Sequence, residues 1–121
     1  MIKMNRTELF NYIKQTYQTH PEYLWKKFPN YAVFRHQSNN KWYAIVMGVE
    51  KSKLGLDGDE KIDILDIKID PKQAEFLLEL PGFLPGYHMN HRTWLTVLLD
   101  GTVPDEQIAK LLAASFQATK K

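Results

Sequence analysis

KIDILDIKIDPKQAEFLLELPG, residues 61–82, joins a strand to a capped helix, and its reading decides the fold class. Leu65, Ile67 and Ile69 alternate with Asp66 and Lys68, the period of a strand with one face buried and the other in water. Ile62 and Ile64 lie on the opposite parity, which predicts a bulge or strand end between Ile64 and Leu65. At Asp70-Pro71 the chain turns helical. Asp70 caps, Pro71 fills the first turn where its missing N–H is no loss, and Gln73 holds the capping-box position. Ala74, Leu77 and Leu78 are expected to face the core before Pro81-Gly82 ends the helix.

Upstream of this junction, Lys51 to Lys61 mixes Gly55 and Gly58 with charges and reads as a loop. Before it, Tyr31–His36 and Trp42–Met47 read as strands joined by the turn residues Ser38, Asn39 and Asn40, a hairpin. The second of these is apolar on both parities, as in a strand covered on both faces or lying centrally in the sheet. A first helix opens at Asn5, with Glu8 at the capping-box position, and places Leu9, Phe10, Ile13 and Tyr17 on one face. It stops before His20-Pro21. Downstream, Pro85-Gly86 makes a turn, Thr93–Leu99 reads as a strand, and a last helix spans about Pro104 to Ala118. Its Ile108, Leu111, Leu112, Ser115 and Phe116 form the apolar stripe, on which Ser115 is expected to bond a backbone carbonyl. The order helix, three strands, helix, strand, helix predicts an α+β two-layer sandwich, a mostly antiparallel sheet with helices packed on it. One domain covers residues 1–121, with Leu9, Ile13, Ile45, Ile67, Trp94, Val97, Leu111 and Leu112 in its core.

Composition narrows the chemistry. With 44% apolar and 25% charged residues the chain can bury a core, so it is not a disordered protein. The absence of cysteine removes disulfides, thiolate metal sites and cysteine nucleophiles and points to the cytoplasm. No apolar run approaches the ~20 residues of a membrane span, and MIKMNRTELF lacks the apolar stretch of a signal peptide. Net charge is +6 over residues 1–56, −5 over 57–79 and +1 over 80–121. The basic first half is suited to a polyanion, or is simply a solvated surface.

Catalytic motifs are missing. Ser38, Ser52 and Ser115 are the only serines, none in a G-x-S-x-G turn, and there is no GxGxxG or P-loop cradle. His88 and His91 lack a third ligand, and Asp57, Asp59 and Asp63 match a calcium loop poorly, so no metal is expected. Trp25, Trp42 and Trp94 are either base-stacking platforms or core residues. Tyr87, His88, Asn90, His91, Arg92 and Trp94 concentrate polar donors and aromatics. They form either a ligand-binding segment or a β-turn in which Asn90 bonds its own backbone while Trp94 packs inward.

The run GYHMNHRTWLTVLLDGTVPDEQIAKLLAASF, Gly86 to Phe116, resembles the signature of the MmcQ/YjbR family of small bacterial proteins. Tyr87, His88, Met89, Asn90, Trp94, Val97, Asp100, Gly101, Pro104, Asp105 and Ser115 fall on its pattern, and IKIDP gives Lys68 a counterpart. His91, Thr93 and Phe116 depart from it, standing where Lys, His and Tyr are usual. The resemblance implies a double-wing or frataxin-like fold and a DNA-binding role; with few clustered cations that binding is expected to be weak and mostly without sequence preference, and with no catalytic or ligand set the protein is expected to be non-enzymatic, cofactor-free and monomeric. On that reading Lys68, Tyr87, His88, Asn90, His91 and Arg92 are the contacts, with Lys26, Lys27, Arg35 and Lys41 adding non-specific attraction. A frataxin-like iron role is an alternative, but the first helix offers only Glu8 as an acid. A small-molecule or protein-binding adaptor is the other.

Overall fold

Asn5 Oδ1 accepts the Glu8 N–H at 2.9 Å and starts helix α1, Arg6–Tyr17, which ends on Gln18 in the left-handed region. A computed structural model describes residues 4–120; residues 1–3 and 121, the ends of the unit expected from the sequence, lie outside the described residues. After α1 come strands β1 (Ala32–Arg35) and β2 (Trp42–Glu50), a short 3-10 turn (Lys51–Leu54) and β3 (Lys61–Lys68). Helix α2 (Pro71–Leu77), β4 (Phe83–Pro85), β5 (Trp94–Leu98) and helix α3 (Asp105–Thr119) complete the chain. The strands form one antiparallel sheet in the order β1-β2-β3-β5-β4, so the architecture is α+β as expected.

One sheet face carries the helices. Leu9 and Ile13 of α1, Ala74 and Leu77 of α2, and Ile108, Leu111 and Leu112 of α3 pack with Phe34, Val46, Leu65, Ile67, Leu95 and Val97. The opposite face, expected to meet water at β3, is buried too. Val33, Ile45, Met47, Ile62, Ile64, Trp94 and Leu98 form a second core there, lined by Leu54, Leu56, Tyr87 and Met89 from loops. This explains why both parities of β3 are apolar, and it corrects two expectations. Asp66 is buried rather than solvated, and no bulge separates Ile64 from Leu65, which pair in unbroken register with Met47 and Val46. The irregularity lies in β2 instead. Phe34 pairs with Ala44 and Arg35 with Trp42, so Tyr43 is the extra residue and joins Ala44 on the helix side.

Three smaller differences follow from tertiary context. The short edge strand β4 occupies a stretch where the sequence predicts only turns; Pro85 ends it, where a missing N–H is tolerated. Leu78 is exposed because α2 stops at Leu77. The loop from Lys51 begins with a helical turn that lays Leu54 and Leu56 on the second core. Ser115 does bond a carbonyl, but across the layers. Its Oγ donates to the Tyr43 carbonyl at 2.6 Å and accepts the Lys68 N–H at 2.9 Å, tying α3 to β2 and β3.

Candidate functional site

The second core does not close completely. Over β2, the link after α1 and the turn before β5 leave a cavity of about 310 Å³ whose wall is mostly aromatic. Trp25, Phe28 and Tyr31 come from the link, Trp42, Ile45 and Met47 from β2, and Tyr87, His88 and Met89 from the turn. The link is held in place by main-chain bonds in both directions between Glu22 and Val33, each 2.9 Å. Asn30 Oδ1 accepts the Gly48 N–H at 3.3 Å, anchoring its far end to β2. Trp25 then meets Trp42 edge to face at 5.8 Å, and Phe28 stacks on Tyr31 at 4.7 Å and 13°.

The turn that supplies Tyr87 and His88 is built by Asn90. Its Oδ1 accepts the Arg92 N–H at 2.9 Å and its carbonyl accepts the Trp94 N–H at 3.0 Å, while Trp94 packs inward. The β-turn with self-bonded Asn90 and buried Trp94 is therefore the geometry present, and it still delivers Tyr87 and His88 to the cavity. His88 adopts a φ of 62°, and its ring lies 4.0 Å from that of Tyr87.

Behind the cavity wall lies a buried acid. Asp66 pairs across β2 with Ile45 and across β5 with Thr96, on the same sheet face. Thr96 Oγ1 donates to Asp66 Oδ1 at 2.6 Å and accepts the Tyr87 N–H at 2.8 Å, linking the acid to the turn. Asp66 Oδ2 is buried without a hydrogen-bond partner. Burial pushes the carboxyl up to about 7, opposed by the Thr96 hydrogen bond. Burial likewise raises the Tyr31 hydroxyl, which also faces Tyr87 and feels Asp66.

A second hollow of about 230 Å³ adjoins the first, with Phe28 and Tyr31 in both walls. Lys27, Lys53 and Lys61 line it, and Glu50 is its single carboxylate. Sequence reading missed Lys53 and Lys61, because Lys53 sits in a stretch read as a loop and Lys61 among the acids of residues 57–79. Three of those acids are engaged elsewhere: Asp63 is bonded to Arg6 at 3.1 Å, Glu60 to Lys51 at 2.9 Å, and Asp66 is interior.

The other candidates distribute unevenly. Lys26 is exposed between Trp25 and Lys27 in the chain, whereas exposed Lys41 lies near His36, which packs against Tyr43 and Phe116 on the helix side of the sheet. His91 and Arg92 are exposed on the turn. Lys68 lies at the end of β3 with Nζ 5.4 Å from the Trp94 ring, where its charge meets the ring face. Arg35 is not a free cation: Nε and Nη2 donate to the two Glu22 carboxylate oxygens at 2.7 and 2.6 Å. Among the described residues no group of three or more His, Cys, Asp or Glu could hold a metal ion, and no helix is long and apolar enough to cross a membrane.

Known proteins share this fold and much of its sequence. The family model described as YjbR matches residues 6–118. An uncharacterised Bacillus subtilis protein, YyaQ, is 44% identical over 117 residues, covering 97% of this chain and 99% of its own. The uncharacterised YjbR of Escherichia coli K12 is 35% identical over 81 residues, covering 65% of this chain and 69% of its own. The crystal structure of a Pseudomonas syringae protein superposes with a TM-score of 0.94 at 44% identity, covering 96% of this chain and 99% of its own. One from Deinococcus radiodurans gives 0.76 at 26% identity, covering 100% and 82%.

Proposed function

The chain belongs to the YjbR family, and from that premise we propose that it is a cytoplasmic, monomeric, non-enzymatic protein that binds DNA weakly and without sequence preference. The observation that carries this reading is the hollow where Lys27, Lys53 and Lys61 converge against Glu50 alone. Three cations sharing one concave surface offer phosphate contacts that scattered surface lysines do not. Lys26, Lys41, Lys68 and Arg92 add longer-range attraction, whereas Arg35 is neutralised by Glu22. Three or four phosphate contacts support only micromolar or weaker binding at physiological salt.

Fluorescence anisotropy of a labelled duplex, titrated with salt, tests the reading. Wild type should bind with a shallow slope, and a K27A/K53A/K61A variant should lose about 0.9 in slope per lysine that meets a phosphate. Equal slopes, or no binding at ~50 mM salt, would remove the proposed surface.

A second reading, recognition of a small molecule, is favoured by the aromatic cavity, whose volume lies at the lower end of the range of ligand pockets. It predicts binding of an uncharged aromatic compound with no dependence on salt.

A further inference from the structure

The aromatic cavity and the lysine-lined hollow share the stacked pair Phe28 and Tyr31 as a common wall. We propose that together they form a subsite for one unpaired nucleotide of single-stranded DNA, with the base among Trp25, Trp42 and Tyr87 and the phosphate at Lys27, Lys53 and Lys61. This deepens the DNA-binding reading and rests on it.

Two requirements of a single-strand site are met in one place. Base stacking needs an accessible ring face, and Trp25 and Phe28 remain 36% and 43% exposed although they line the cavity. Backbone tracking needs cations beside the rings, and the hollow supplies three. In a nucleotide one sugar separates base from phosphate; here one pair of rings separates the apolar space from the cationic one. A paired base cannot present its face to the cavity, because both faces are covered by its neighbours in the duplex.

Charge decides among occupants. An organic cation would suit aromatic walls, but Lys27, Lys53 and Lys61 line the adjoining hollow, and the acid behind the wall, Asp66, is fully buried. An uncharged aromatic compound would leave the neighbouring lysines unused. An aromatic group joined to an anion fits both spaces.

The test measures binding of a fluorescein-labelled dT octamer, the matched duplex, an rU octamer and thymidine monophosphate, by anisotropy and by tryptophan emission. The octamer is expected to bind about ten-fold or more tighter than the duplex and to quench tryptophan. Trp25→Leu, at an exposed ring, should weaken the octamer by about five-fold or more and leave duplex binding unchanged. Lys53→Ala with Lys61→Ala should lower the octamer's salt slope by about 0.7 for each phosphate that is no longer neutralised. If the duplex binds as well as the octamer and emission does not change, the nucleotide subsite is overturned while DNA binding stands; if neither binds, both fall. Tighter binding of rU, or equal binding of the mononucleotide, would overturn the assignment to a DNA strand.

Discussion

Thr96 Oγ1 donates a 2.6 Å hydrogen bond to Asp66 Oδ1 within the sheet, and the second carboxylate oxygen has no hydrogen-bond partner. The same hydroxyl accepts the Tyr87 N–H, so the buried acid, its strand neighbour and the cavity turn form one continuous chain of bonds. Substitutions along that chain, and around the turn it supports, have distinct expected outcomes.

The pH dependence of stability reports on Asp66. In the folded protein its carboxyl keeps a proton up to about pH 7, while in the unfolded chain it loses it near 4. Between those values the native state binds more protons, so stability should fall as pH rises from about 4 to about 7 and then level off, by roughly 4 kcal/mol at most. His36 works the other way. Burial lowers its pKa, so its contribution makes stability rise with pH through the region below its usual 6.5. Denaturant midpoints across this range should therefore lose their fall in Asp66→Asn and keep only the rise.

Trp94→Ala should destabilise by about 3–5 kcal/mol, because the ring is 8% exposed, packed in the second core, with the Lys68 ammonium over it. Urea unfolding decides the matter; a change below ~1 kcal/mol would contradict the burial.

Ser115→Ala should cost about 1–3 kcal/mol despite the small change in volume. It strips the Tyr43 carbonyl and the Lys68 N–H of their buried partner between helix and sheet. Calorimetric melting of the variant is the check, with Ser115→Gly expected to be worse because α3 also loses helix propensity.

Gly86→Ala should cost about 1–3 kcal/mol and disturb the cavity as well. A Cβ at this position would lie 2.8 Å from Trp94 Cβ and 2.9 Å from the Trp94 carbonyl oxygen, so the turn carrying Tyr87 and His88 must move. Melting combined with tryptophan emission should report both effects, and an unchanged Tm would refute the close approach.

Local features of this chain were legible in the sequence because they depend on neighbours a few residues apart. Asn5 caps α1, Asp70 and Pro71 start α2, the hairpin turns at 37–39 within one residue of the expected Ser38, Asn39 and Asn40, and the stripe from Ile108 to Ser115 faces the core. Family membership, too, was readable from the Gly86–Phe116 run. Two-sided cover was legible at β2, but tertiary structure alone decided that the second face is covered at β3 as well, which buried Asp66, and that Ile64 and Leu65 stay in register while the bulge falls at Tyr43. It also decided the site. Trp25, Trp42 and Tyr87 are far apart in the chain, as are Lys27 and Lys61, and no local periodicity encodes their meeting. Hydrogen-bonded caps and residue spacing are short-range properties, whereas burial, freed charge and shared walls arise only when distant segments exclude water together.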